Sequence, residues 1–287
     1  MASLVPVLEV GGTHVTAALV DPDGWQVTQS SRRSIDADAS AAALIESFWR
    51  AGNALRAPAG VVWGIAMPDP FDYERGIGQF EGVGKFTSLR GVDVGDALRT
   101  RLRGRTTFVN DADAFTLGEW AAGAGRGSHR CAGITLGTGI GSGWLVDGHV
   151  VDPGMPPGGR LHRMSIGGTP LEDVVSRRAI RGAYADAGGD PDADVRDIAE
   201  AARHGSTVAR RVLDEAMTEL GRVVGRCTAG FRADVLVVGG SMSASWDLFE
   251  PAFRAGALGS GLPAIRLAAD SENAPLVGAA LHAVRVA

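Results

Sequence analysis

The sequence predicts an α/β fold built in two lobes. Three observations carry the prediction. The length of 287 residues is enough for one large domain or two of ordinary size. Short β-branched runs alternate with helical patterns. A glycine-closed hairpin occurs near the start of the chain and again near its middle. The 41 glycines fall in clusters, which marks tight turns beside a ligand rather than a flexible linker.

Taken in order, residues 5–10 and 14–20 are apolar runs on either side of Gly11-Gly12-Thr13, a strand–turn–strand pattern, and another strand starts at Trp25. Asp38 suits the N-cap of a helix reaching Leu55, and a buried strand over 60–67 ends in the breakers Pro68-Asp69-Pro70. Residues 92–102 read as an amphipathic helix, 106–109 as a strand delivering Asn110 and Asp111 to its C-terminal end, and 112–122 as the next helix. The second hairpin follows, with strands 132–136 and 143–146 around Gly137-Thr138-Gly139-Ile140-Gly141. Helices are expected over 171–184 and 195–202, and Val208, Val212, Leu220, Val224 and Cys227 mark one stripe of a longer helix. A buried strand at 234–238 ends at Gly239-Gly240-Ser241. The last helix, 275–284, opens with proline in its first turn, where a missing N–H costs little.

Composition narrows the function. With 45% hydrophobic residues, 21% charged and a net charge of -5, the chain reads as a soluble globular protein, and no run approaches the ~18 apolar residues of a membrane span. The negative balance argues against nucleic acid as the main partner. Cys131 and Cys227 match no metal or redox spacing and read as reduced core residues. The first residues lack a charged segment followed by a long apolar one, so a cytoplasmic location is expected. Lys85 is the only lysine among 28 basic residues.

A glycine turn lets backbone N–H groups converge on an anion, and Thr13 adds a hydroxyl donor. One such turn taken singly reads rather as a hairpin without a ligand. Two, one opening each half, point to phosphate. Gly239-Gly240 adds a third place where a backbone can approach a nucleotide.

Five segments then carry a family pattern: Leu8-Glu9-Val10-Gly11-Gly12-Thr13, Gly64-Ile65-Ala66-Met67-Pro68-Asp69-Pro70, Asn110-Asp111-Ala112-Asp113-Ala114, Leu136-Gly137-Thr138-Gly139-Ile140-Gly141 and Val237-Val238-Gly239-Gly240. In order and spacing they resemble the ROK family of sugar kinases, within the actin/hexokinase/Hsp70 superfamily. The resemblance implies a two-lobed actin-like ATPase (ribonuclease H-like) fold with a ligand cleft between the lobes. Residues 1–109 with the returning helix 275–287 would form the smaller lobe, and 110–274 the larger, with a hinge near Asn110. It further implies an ATP-dependent carbohydrate kinase that phosphorylates a hydroxyl of a hexose, amino sugar or sugar-like cyclitol, uses magnesium and assembles as a homodimer.

Residue by residue, the resemblance makes Asp111 the general base. Gly11, Gly12 and Thr13 would hold phosphate and organise magnesium, Gly137, Thr138 and Gly139 the transferring end of ATP, and Gly239 and Gly240 would border the adenosine. Asn110, Asp111, Glu172, His162 and Lys85 would face the sugar, and Glu9 would reach magnesium through water. The residues themselves suit the first role: a carboxylate at a strand's C-terminal end can take the proton of a substrate hydroxyl as its oxygen attacks a phosphoryl group. They also suit a second one, since Asn110 or Asp111 before a helix is a good cap. Asp113 reads as a first-turn acid favoured by the helix dipole.

The pattern breaks in places. Glu9 stands where the family usually has aspartate, and Asp69 where its Pro-Gly-Pro turn has glycine; Asp69 is either functional or a turn aspartate facing solvent. No cysteine lies between Cys131 and Cys227, so the family's structural zinc is not expected. His162 lacks the usual preceding glutamate and is either a sugar contact or a surface histidine. Glu172 is either the family's sugar-binding glutamate or an acid in a helix first turn after a Thr cap and Pro. Lys85 is either a sugar or phosphate contact or a solvated loop residue. The family's repressors carry a DNA-binding domain before the first glycine turn, which here begins at Gly11, so that reading is set aside. A non-catalytic sugar-binding sensor remains the alternative, motivated by Glu9 and the thinned sugar site.

Overall fold

The computed structural model describes residues 3–151 and 160–287. They divide into two compact units, one reaching to Arg126 and completed by Glu272–Ala287, the other Gly127–Ser271. The division falls at Arg126 rather than at Asn110, because the helix that follows Asn110 packs along the C-terminal helix.

The first unit contains strands β1 (Val5–Val10), β2 (His14–Asp21), β3 (Gln26–Ser34), β4 (Val62–Met67) and β5 (Arg105–Asn110), with helices α1 (Ala41–Asn53), α2 (Val94–Leu102) and α3 (Asp111–Ala122). The sheet order is β3-β2-β1-β4-β5. β1, β2 and β3 are antiparallel, whereas β1, β4 and β5 run parallel. The β1–β2 register runs unbroken from Val5↔Val20 to Val10↔Val15, so the hairpin tip falls on Gly11-Gly12-Thr13. Leu8, Val10, Val15, Ile65 and Met67 are fully buried and close over Phe48 of α1 and Leu98 of α2. Ser40 rather than Asp38 caps α1, its hydroxyl accepting from Ala43 N at 3.3 Å, while Asp38 N donates to Asp36 Oδ1.

The C-terminal helix, Ala274–Val286, lies against α3 at unusually close range. A methyl group on Gly118 would overlap the carbonyl of Ala274, and one on Gly278 the carbonyl of Ala114. Glycine at both places is what lets the two backbones touch.

The second unit repeats the sheet pattern. Its strands are β6 (Arg130–Leu136), β7 (Ile140–Val146), β8 (His149–Val150), β9 (Val235–Gly239) and β10 (Ala264–Leu267), in the order β8-β7-β6-β9-β10. Again three strands are antiparallel and the next two join in parallel. Helices α4 (Glu172–Val175), α5 (Arg177–Asp186), α6 (Val195–Arg203), α7 (Thr207–Phe231) and α8 (Trp246–Gly256) accompany it. The single helix expected over 171–184 is broken at Ser176, whose extended backbone (ψ 159°) ends α4 and whose hydroxyl caps α5 through Ala179 N. Sequence reasoning missed α8, whose interior proline, Pro251, masks its periodicity, and the short edge strand β10. Neither cysteine is in a disulfide and both are buried, and burial pushes the Cys227 thiol up to about 11. Among the described residues, no helix is long and apolar enough to cross a membrane.

Candidate active site

In open α/β sheets ligands bind beyond the carboxyl ends of the parallel strands. In the first unit those ends carry Glu9 on β1, the segment Pro68-Asp69-Pro70 after β4, and Asn110-Asp111 at the junction of β5 with α3. Pairing of Met67 with Asn110 keeps β4 and β5 level there.

Glu9 belongs to a row across the sheet. It pairs with Thr16, and Thr16 pairs with Arg32, so the three side chains share one face. Burial, and then the negative charge of Asp111, raise the Glu9 carboxyl from its ordinary 4.5 to about 7, against the opposing pull of Arg32 and a hydrogen bond from Thr16. Two acids thus lie in each other's field. An oxygen-only donor set of this kind suits magnesium, which is held by one or two carboxylates with retained waters.

Capping settles on Asn110. Its Oδ1 accepts from Ala112 N at 3.0 Å and Asp113 N at 3.2 Å, leaving Asp111 as the first helical residue. Asp111 is half-buried, and its Oδ1 also accepts from Ala112 N, at 2.8 Å. Asp113 is more enclosed than a plain dipole acid, at 4% exposure. Beside this corner stands Tyr73, which sequence reasoning did not single out. Its hydroxyl lies 3.1 Å from Met67 O, 3.0 Å from Asp69 Oδ1 and 3.1 Å from Asn110 Nδ2. Asp69 is therefore not a turn aspartate turned to solvent; it accepts from a tyrosine. Burial, followed by the charges of Asp69 and Asp111, raises the Tyr73 phenol well above its ordinary range, so it stays protonated.

At the first glycine turn, Gly11 N donates to His14 O at 2.8 Å, and Thr13 Oγ1 lies 2.8 Å from His14 Nδ1. A methyl built on Gly12 would meet no protein atom within 4 Å, and its φ is not positive. Neither sterics nor backbone conformation inside the protein requires that glycine. Lys85 stands in the loop ahead of Phe86, whose buried ring packs 5.4 Å from that of Phe80. Its ammonium makes no hydrogen bond or ion pair with the described residues.

The second unit gathers its own set. The Gly137-Thr138-Gly139 turn closes β6 and β7, with Gly137 N donating to Gly139 O at 3.0 Å and Gly137 O accepting from Arg177 N at the start of α5. Glu172 Oε1 occupies the place where a side chain on Gly139 would project. Leu171, not Thr169, precedes α4, because Thr169-Pro170 pairs with Ser165-Ile166 as a small ribbon. Gly240 has φ 86° and lies tight against the backbone of Leu136, and a methyl built on Gly137 would meet Ser241 Oγ at 3.5 Å. Gly239 and Gly240 thus border the same turn. His162 lies in a short helical turn, its Nε2 3.3 Å from Arg163 Nε. No group of three or more His, Cys, Asp or Glu side chains among the described residues could hold a metal ion.

The ROK family profile matches residues 6–156 and 167–285, which is nearly the whole chain. The chain belongs to the ROK family. Over 275 residues it is 29% identical to a glucokinase of Thermotoga maritima, covering 85% of this chain and 84% of that one. An N-acetylgalactosamine kinase of Shewanella sp. strain ANA-3 is 26% identical over 262 residues, covering 82% and 81%. Among solved structures, a ROK family glucokinase from Streptomyces griseus, in complex with glucose and AMPPNP, superposes with a TM-score of 0.81 at 22% identity, over 99% of this chain and 100% of that one. The actin-like ATPase fold expected for a ROK protein is the one found.

Proposed function

We propose that this ROK protein is an ATP-dependent carbohydrate kinase that phosphorylates a hydroxyl of a hexose, amino sugar or sugar-like cyclitol, with Asp111 as general base. The observation that carries the reading is the division of labour at the β5–α3 junction: Asn110 caps the helix, and Asp111 heads it at the carboxyl end of the sheet. The helix N-terminus favours the ionised form of an acid placed there, the state a base requires. Asp111 would take the proton of the acceptor hydroxyl as that oxygen attacks the γ-phosphoryl group, and catalysis would otherwise rest on positioning and charge.

The open space around Gly12 suits a phosphate that approaches the backbone, with Thr13 as an added donor. Gly137, Thr138 and Gly139 would take the transferring end of ATP, with Gly239 and Gly240 beside the adenosine. Glu9 would hold magnesium through water, and magnesium when bound supplies neutralisation of the phosphate charge. Glu172, His162 and Lys85 would contribute to sugar recognition, Glu172 from its position over Gly139. The same reading carries a cytoplasmic homodimer, whose assembly sedimentation can test.

Asp111→Asn is the direct test. Turnover should fall by ~10²–10⁴-fold in a coupled assay across a sugar and cyclitol panel, with sugar affinity largely kept. Phosphorylation at the wild-type rate would remove Asp111 from its role. Sugar binding by the wild-type chain without turnover on any acceptor would favour the sensor.

A further inference from the structure

We propose that Tyr73 is a positioning residue for the phosphoryl acceptor: its hydroxyl, oriented by Asp69, fixes the amide of Asn110 beside Asp111. This inference rests on the kinase reading and deepens it. The amide of Asn110 has two chemically different ends. Its oxygen is committed to the N–H groups of Ala112 and Asp113, at 3.0 and 3.2 Å. What Asn110 offers beyond its own helix is therefore its Nδ2 donor. One N–H of that group meets the Tyr73 hydroxyl at 3.1 Å.

The phenol has one proton to give, and two acceptors lie in reach: Asp69 Oδ1 at 3.0 Å and Met67 O at 3.1 Å. A carboxylate is the stronger acceptor, and a proton sent towards it turns an oxygen lone pair to Asn110. The ring is held independently by Phe71, 5.5 Å away, which itself packs on Phe108 of β5 at 5.0 Å. Donation thus runs in one direction, from Asn110 through Tyr73 to Asp69, and ties the cap of α3, the helix that Asp111 begins, to the segment after β4. Its consequence for the acceptor is chemical: at this corner the sugar meets a donor at Asn110 and an acceptor at Asp111. Adjacent hydroxyls, one accepting and one giving its proton, match that pair. Without the phenol, the amide keeps its oxygen on Ala112 and Asp113 and loses the bond that Tyr73 makes to its nitrogen.

The test is Tyr73→Phe, which keeps the ring and removes only the hydroxyl. Loss of one hydrogen bond should raise the KM for the sugar about five- to tenfold and leave the KM for ATP within about twofold. In an Asn110→Ala background the same change should do nothing further, since contacts acting through one group are not additive. Asp69→Gly, which leaves Met67 O as acceptor, should give a smaller effect than Tyr73→Phe. A readout independent of turnover is the side-chain amide resonance of Asn110 in ¹⁵N-labelled protein, whose protection from exchange should drop in Tyr73→Phe. A merely structural tyrosine would shift the unfolding midpoint while leaving the sugar KM and that resonance alone, and this outcome overturns the proposal, as would full additivity with Asn110→Ala. A wild-type chain that phosphorylates no sugar fails the kinase reading instead, and the Asn110 resonance still decides whether Tyr73 holds the amide.

Discussion

Replacing Glu9 by Gln should stabilise the protein by an amount that is absent at acid pH, grows as pH rises above about 4.5 and levels off above about 7. The carboxyl sits at about 7 in the folded chain against an ordinary 4.5, first because it is enclosed and second because Asp111 is close. A raised acid favours the fold while protonated, so its contribution is complete below about 4.5 and is lost as pH climbs through about 7. The gap, at about 1.4 kcal/mol per pH unit, corresponds to at most about 3 kcal/mol of strain in the ionised wild-type protein. Glu9→Gln keeps the shape of the group and cannot ionise. Chemical denaturation in magnesium-free buffer, repeated from pH 4 to pH 9, should show variant and wild type together at the acid end, with the variant ahead by up to about 3 kcal/mol at pH 8. Parallel curves across the whole range would refute the reasoning, since the carboxyl would then feel neither its enclosure nor its neighbour.

Other outcomes follow from the same geometry. Gly278→Ala places a methyl on the carbonyl of Ala114, so the C-terminal helix must move off α3; urea denaturation should show a loss of about 3 kcal/mol or more. Gly139→Ala collides only with the mobile end of Glu172, so folding should be kept within about 1 kcal/mol while the kinase KM values rise, as measured by thermal denaturation alongside kinetics. His282, lowered by burial and then by Arg285, favours the fold when neutral; stability should fall as pH drops below about 6.5, and His282→Gln should flatten that limb of the pH–stability curve.

Much of this could be read from residues alone where the signal was local. The two glycine hairpins, the β4 and β5 strands and the Asn110-Asp111 junction all lie in short stretches whose pattern is self-contained, and each fell close to its expected place. What escaped was non-local. Tyr73 reaches Asn110 across 37 residues, and no spacing rule ties a tyrosine in a turn to a distant cap. The row Glu9–Thr16–Arg32 follows only from strand register, which the hairpin fixes for Thr16 and the second turn for Arg32. The close packing of α3 on the C-terminal helix is non-local too: it depends on Gly118 and Gly278, and glycines inside helices read from sequence as weaknesses rather than as contacts.

The end of the chain also orders its own assembly. The second unit is a single uninterrupted stretch, Gly127–Ser271, whereas the first needs Glu272–Ala287 to cover α3. During synthesis the later-starting unit therefore emerges before the backing of the helix bearing Asp111, which comes only with residues 272–287. A chain cut short before Ala274 would carry a complete second unit, while the helix that begins with the proposed base would lack its largest packing partner.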